Sequence, residues 1–123
     1  MMDDIKLMSS VLYLECRGEP FEGKLAVGWT IINRLLERSW YGITIEEIIK
    51  KPYQYAWDDN EYPEFFSIAS NVYNQRLGDP AHGATHFFSI FAAGDASPYW
   101  AGSMKFVIKI GGHSFYKNAA AGS

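Results

Sequence analysis

Apolar residues recur along this chain with two different periods, and the change from one to the other divides it. Between Asp4 and Cys16, Ile5, Met8, Val11 and Leu12 fall three and four apart, which predicts a helix with one buried face. Asp3 or Asp4 supplies its N-cap, and Gly18 a left-handed stop. Pro20 suits the first turn of a second helix, because its φ is already helical and its missing N–H had no partner there. Leu25, Trp29, Ile32 and Leu36 mark the face of that helix, which runs to about Glu37. A short helix over 45–50 is stopped by Pro52. The polar and aromatic stretch 53–62 reads as a loop. A third long helix starts near Pro63, with Phe65, Ile68, Ala69, Val72 and Tyr73 on one side, and ends at Gly78. Asp79 and Pro80 then turn the chain away.

The C-terminal third takes up a period of two. Lys105 to Ile110 alternates, with Phe106, Ile108 and Ile110 on one face. Gly111 and Gly112 make a two-residue hairpin turn into a strand over His113 to Tyr116. Ile110 and His113 then face each other, so His113 shares the apolar face. Thr85 to Ser89 adds another short strand. Neither repeats nor a linker interrupt the pattern. The expectation is one mostly helical α+β domain over 1–117, with 118–123 a tail outside the fold.

Composition narrows the function. A chain of 123 residues fits a single domain that buries about two-thirds of its unfolded-state surface. With 48% apolar residues a core forms without disulfide or metal, and the lone Cys16 excludes an internal disulfide. Net charge is −3 with no dense Lys/Arg run, which excludes the electrostatic footprint of a nucleic-acid binder. No apolar stretch is long enough to span a bilayer, so stable membrane insertion is not expected, and no signal-peptide pattern opens the chain. The aromatic share is 16%. Most of these rings belong to the core, but part of them must reach the surface or a cleft, where flat rings stack on ring-shaped ligands.

Glu15 is the leading chemical candidate. It sits on the apolar stripe in the last turn of its helix, desolvated and facing the negative end of the helix dipole. Both effects favour the neutral carboxyl that a general acid needs. The alternative reading pairs it with Arg17 or Arg34 for structural reasons. Glu19 stands where an acid supports the start of the second helix. His82 and His86 are four apart, but Gly83 and Pro80 break the helix that a metal site would need, and no metal is expected. A Cys16/His113 thiol hydrolase is disfavoured, since the C-terminal end of a helix raises a thiol's pKa. The stretch from Tyr53 through Gln54, Tyr55 and Ala56 to Trp57 sets amide groups between flat rings, which suits either a polar ring-shaped ligand or the anchoring of a long loop.

These residues carry a resemblance. The run Leu12-Tyr13-Leu14-Glu15-Cys16-Arg17-Gly18-Glu19-Pro20-Phe21-Glu22-Gly23-Lys24-Leu25-Ala26-Val27, followed by Ile32-Asn33-Arg34, resembles the core motif of the SleB-type cell-wall hydrolases. That family includes spore-cortex-lytic enzymes and related phage and bacterial peptidoglycan hydrolases. Pro52-Tyr53-Gln54-Tyr55 is similar to the family's Gln-aromatic loop. Gly78-Asp79-Pro80 with Gly83-Ala84-Thr85-His86-Phe87-Phe88 is similar to its central turn and strand, and Ile110-Gly111-Gly112-His113-Ser114-Phe115-Tyr116 to its closing hairpin. The resemblance covers roughly residues 5–116.

The resemblance implies a lysozyme-like, mostly helical fold with a small sheet, no cofactor, and a lytic transglycosylase acting on the glycan strands of peptidoglycan. The bond implied lies between N-acetylmuramic acid and N-acetylglucosamine, and the family's catalytic glutamate maps onto Glu15. Gln54, Tyr55, Trp57, His86, Trp100 and His113 are the expected substrate-binding residues. Were water to attack instead, as in a simple muramidase, Glu19 and Glu22 would be the first candidates for a second carboxylate. A non-catalytic peptidoglycan-binding module is the remaining alternative. Two departures stand out: Cys16 where a small residue is common, and His86 where an aromatic is expected. A domain without signal or wall-binding repeats resembles a phage lysin. It would be made in the cytoplasm and would reach the wall through a separate pore or with a virion.

Overall fold

The computed structural model describes residues 2–89 and 97–119. In chain order these form helices α1 (Met2–Cys16), α2 (Phe21–Glu37), α3 (Ile45–Lys50) and α4 (Phe66–Tyr73), then strands β1 (His86–Ser89), β2 (Lys105–Ile110) and β3 (His113–Lys117). Single 3-10 turns, Pro63–Phe65 and Tyr99–Ser103, lead into α4 and β2. The expected tail lies mostly outside the described residues, which end at 119.

α2 is the central element, buried without interruption from Leu25 to Ile32. Its expected apolar face stops a turn early, because Leu36 is exposed. α1 packs against α2, α3 and α4, so it buries more than the one predicted stripe. Ser9 and Ser10 are buried with Met8, Val11 and Leu12. Their hydroxyls donate back to the carbonyls of Ile5 and Leu7 at 2.7 and 2.8 Å, which satisfies them inside the core.

The helix ends differ from expectation in three places. α1 already begins at Met2, so Asp3 and Asp4 lie in its first turn, where they favour the helix dipole instead of capping it. Gly18 is not among the residues with positive φ. The turn after α1 is closed by the Glu19 N–H on the Cys16 carbonyl at 3.0 Å, and Pro20 is the N-cap of α2. α4 ends at Tyr73 and not at Gly78, because Gln75 takes a left-handed φ of 55°. The Asn74 amide donates to the Ser70 carbonyl at 2.9 Å, and the Trp29 indole holds the Leu77 carbonyl at 3.0 Å, fixing this stretch in a non-helical course. The short helix over 45–50 forms as expected, with Thr44 capping the Glu47 N–H at 3.1 Å.

The sheet is antiparallel with order β1-β3-β2. Ile110 pairs with His113 across the Gly111-Gly112 turn, as the hairpin signal predicts. A bulge between Phe106 and Ile108 breaks the alternation of β2, so those two residues point to opposite faces and not to one. Phe87, Ile108, Ile110, His113 and Phe115 share the inner face, whereas His86, Phe88, Phe106 and Tyr116 share the outer one. The turn that delivers β1 is organised by Asp79. Its carboxylate accepts from the backbone N–H groups of Ala81 and Gly83 at 2.8 and 2.7 Å and from the Asn33 amide at 2.9 Å.

Candidate active-site cleft

Where the last turn of α1 meets β1, a cleft of about 700 Å³ opens to solvent, lined by residues of both faces of that strand. Glu15 lines it, together with Leu14 from the same turn. The helical spacing that puts Val11 and Leu12 into the core carries Glu15 to the core's edge, where it is half-buried. One carboxylate oxygen, Oε2, accepts the Ala56 N–H at 2.9 Å. Burial pushes the Glu15 carboxyl above its usual range, against the opposing pull of the Ala56 bond and of His113.

Neither arginine proposed as a structural partner takes Glu15. Arg17 turns back over the Tyr13 ring, 4.7 Å from its centroid, and donates to the Tyr13 carbonyl at 3.0 Å. Arg34 is 4% exposed, and its guanidinium is used on the other side of the cleft floor. Nε donates to the Thr85 carbonyl at 2.8 Å and Nη1 to Gln54 Oε1 at 3.0 Å. The group also lies 4.6 and 4.9 Å from the ring centroids of Tyr41 and Tyr55. Two hydrogen bonds and two π faces thus hold a buried cation that has no carboxylate partner among the described residues.

The cleft gathers four of the six expected binding residues: Gln54, His86, Trp100 and His113. Tyr55 and Trp57 lie elsewhere. The Tyr55 ring is buried in the core, and its hydroxyl shares a 2.8 Å hydrogen bond with Thr30. Trp57 packs against the core edge under the Lys50 ammonium, 4.7 Å from the ring. The loop therefore serves both readings of its composition, Gln54 on the cleft and Tyr55 as anchor. Of the two further carboxylates, Glu22 is exposed in the first turn of α2 and does not reach the cleft. Glu19 lines a smaller hollow beside Glu15. It does not cap α2. Instead its Oε1 accepts the Gly112 N–H at 2.7 Å and lies 3.4 Å from His113 Nδ1, clamping the hairpin turn to the α1–α2 corner. A Cβ on Gly111, whose φ is 57°, would collide with this carboxylate.

His113 is 3% exposed and presents its ring edge to Phe87, with centroids 5.3 Å apart. Burial and the nearby Arg34 push the His86 imidazole down to about 4, so it is neutral at ordinary pH. Its Nδ1 lies 2.9 Å from the Thr85 hydroxyl. Cys16 is buried, donates to the Leu12 carbonyl at 3.2 Å, and is pushed up to about 12, mainly by burial. Such a thiol is no nucleophile. Sequence reasoning missed Trp40, Phe87, Phe88, Ser89 and Tyr99 on the cleft wall, and took Arg34 only as a partner for Glu15. The strand pattern that found β1 could have flagged Phe87 and Phe88. Trp40 and Tyr99 sit outside any periodic element.

The chain is similar to several known proteins. Residues 18–116 match the family described as cell wall hydrolase, a span that opens just after Glu15. The spore cortex-lytic enzyme of Halalkalibacterium halodurans is 31% identical over 117 residues, covering 92% of this chain and 34% of that protein. That of Bacillus cereus is 29% identical over 119 residues, covering 94% of this chain and 44% of that protein. The chain thus spans less than half the length of these curated relatives. Among solved structures, the catalytic domain of the Bacillus cereus SleB protein superposes with a TM-score of 0.78 at 27% identity, covering 95% of this chain and 91% of that one. The catalytic domain of the germination-specific lytic transglycosylase SleB from Bacillus anthracis gives the same TM-score at 26% identity, covering 95% and 96%. The mostly helical, lysozyme-like fold expected from the sequence is the fold observed.

Proposed function

The chain belongs to the cell wall hydrolase family, and from that premise we propose that it is a peptidoglycan-cleaving lytic transglycosylase whose acid is Glu15. One observation carries this reading. Glu15 is the sole carboxylate among the described residues lining the cleft, and burial favours its protonated form. A solved neighbour over nearly the whole chain bears the name lytic transglycosylase, which supports the same chemistry.

In the proposed reaction Glu15 gives its proton to the glycosidic oxygen as the bond from that oxygen to C1 of the muramic acid breaks. Positive charge then develops on the muramyl ring. The ring's own C6 hydroxyl attacks C1, and its proton passes to the Glu15 carboxylate, so the acid is restored and no water is consumed. This scheme needs one carboxyl, unlike the paired-carboxylate route of ordinary glycosidases. Glu19 is poorly suited as a second carboxylate because its Oε1 is engaged by Gly112.

The test is mass spectrometry of soluble products from purified peptidoglycan, with wild type and Glu15→Gln side by side. Anhydro-muropeptides from the wild type alone are expected. Reducing-end sugars would replace the transglycosylase with a muramidase. Equal release by both proteins would remove Glu15 as the acid, and no release by either would leave a glycan-binding module.

A further inference from the structure

Lys51, Pro52, Tyr53 and Gln54 form a tight turn, closed by the Gln54 N–H on the Lys51 carbonyl at 3.3 Å. Tyr53, the third residue, has a φ of 66°. Proline second and a positive φ third is the pattern of a type II turn, whose third position favours glycine because a side chain crowds the backbone there. This chain places a bulky aromatic residue in that strained position. The fold gains nothing visible from it. The ring is 103% exposed and makes no hydrogen bond, ion pair or ring contact with the described residues.

What surrounds the ring is firmly held. Gln54 is tied to buried Arg34 at 3.0 Å, and Tyr55 is buried behind it. The turn is therefore a rigid base that lifts one flat ring to the edge of the cleft that Glu15 lines. Tyr99 repeats the arrangement from a different element. It opens the 3-10 turn over 99–103, is 97% exposed, and lines the same cleft, while the next residue, Trp100, is packed on the outer face of the sheet against Tyr116, 5.4 Å between centroids.

We propose that Tyr53 and Tyr99 are stacking platforms for two sugar rings of the glycan strand, and that the strained turn at Tyr53 fixes its platform before the strand arrives. This rests on the glycan-cleaving reading above. A pyranose presents a flat C–H face that packs on an aromatic face while its hydroxyls stay in water, so a fully exposed ring at a cleft edge suits it. Fixing the ring in advance lowers the ordering cost of binding.

The experiment titrates soluble glycan strands, freed from purified peptidoglycan by an amidase, into Glu15→Gln protein by calorimetry. That background is compared with the same background carrying Tyr53→Gly, Tyr53→Phe or Tyr99→Ala. Tyr53→Gly is expected to bind about fivefold more weakly and Tyr99→Ala similarly, the effect of losing one stacked ring. Tyr53→Phe keeps the ring and should bind as the background does. Tyr53→Gly relieves the turn, so its Tm should match or exceed the background's, which separates a lost platform from a damaged fold. Unchanged affinity in Tyr53→Gly and Tyr99→Ala overturns the proposal while leaving the enzymatic reading intact. If the Glu15→Gln background shows no saturable binding, the glycan reading falls and this proposal with it.

Discussion

On the helical side of the cleft, Glu15, Arg34 and Gln54 stand at the edge of the core, each tied to a partner distant in sequence. On the sheet side the wall is made of rings. Phe87 packs on His113 and Phe115, at 5.3 and 5.8 Å between centroids. Phe88 and His86 pack on Trp100, at 6.1 and 4.9 Å. The two walls should fail in different ways. A polar group left unpaired at a buried site carries its full desolvation penalty, whereas one aromatic contact is worth about 0.5–1.5 kcal/mol beyond the area it covers. The helical wall is therefore cooperative and the aromatic wall graded.

The strongest way to break this contrast is Glu15→Gln. Loss of a general acid lowers the rate by roughly 10²–10⁴-fold, read as muropeptide release from purified peptidoglycan. Stability moves the other way. Burial raises the Glu15 carboxyl above the usual carboxylate range, so the folded state holds that proton more tightly than the unfolded state. The resulting stability is fully present below the unfolded value and is lost as pH rises through the raised folded value. Glutamine has no charge to desolvate. At neutral pH the variant should melt at or above the wild-type temperature, while the wild-type rate declines as pH rises through the same range. A variant that keeps more than about a tenth of the activity would remove Glu15 from the reaction.

Arg34 comes next. Arg34→Met leaves the Thr85 carbonyl and Gln54 without their donor and strips a cation from two ring faces. Charge-assisted hydrogen bonds and cation–π contacts together suggest a loss of about 3 kcal/mol, measurable from the urea midpoint. Arg34→Lys should not restore it, because a point-like ammonium cannot serve both acceptors and stack as well. Full recovery with lysine would mean that charge alone, and not the planar fork, holds this wall.

On the opposite wall, Trp100→Ala should cost less. The ring touches His86, Phe88 and Tyr116 but is only half-buried. A loss of about 1–2 kcal/mol in the same urea titration is expected, with β2 and β3 still paired. A loss equal to that of Arg34→Met would erase the distinction between the walls.

The same contrast governs what the sequence made legible. The positions of α1, α2 and α3 follow from local spacing and from Pro20 and Pro52, and Glu15 stood out because an acid on an apolar stripe is locally anomalous. The role of Glu19 was not readable. Its partner, the Gly112 N–H, is 93 residues away, and only the folded corner brings them together. Arg34 looked like a partner for a carboxylate because buried arginines usually have one, yet here a backbone carbonyl, an amide and two rings suffice. On the sheet side, the bulge at Val107 sends Phe106 to the outer face, although Phe106, Ile108 and Ile110 stand two apart in sequence. Tyr55 and Trp57 illustrate the remaining difficulty. Their chemistry suits a cleft, but one residue of phase along a loop decides whether a ring faces ligand or core, and no period sets that phase.

His86 sits where the walls meet, bonded to Thr85 and placed between the rings of Tyr41 and Trp100 at 5.9 and 4.9 Å. Its imidazole is pushed down to about 4 from 6.5 by burial and then by Arg34. Between those values the unfolded chain binds the proton and the folded chain does not, so this group makes stability fall as pH drops through the window. The residue is only half-buried, so solvent screening makes this the smallest effect of the set. Glu15 acts in the opposite direction, adding stability on acidification. His86→Phe, which installs the aromatic that the family resemblance leads one to expect, should therefore make the protein more resistant to acid between pH 6.5 and 4, read as Tm against pH. Glu15→Gln should make it less so relative to its own neutral value. The double variant should lose both contributions and show a flatter profile than either. A wild-type slope persisting in the double variant would mean that the pH response belongs to neither wall.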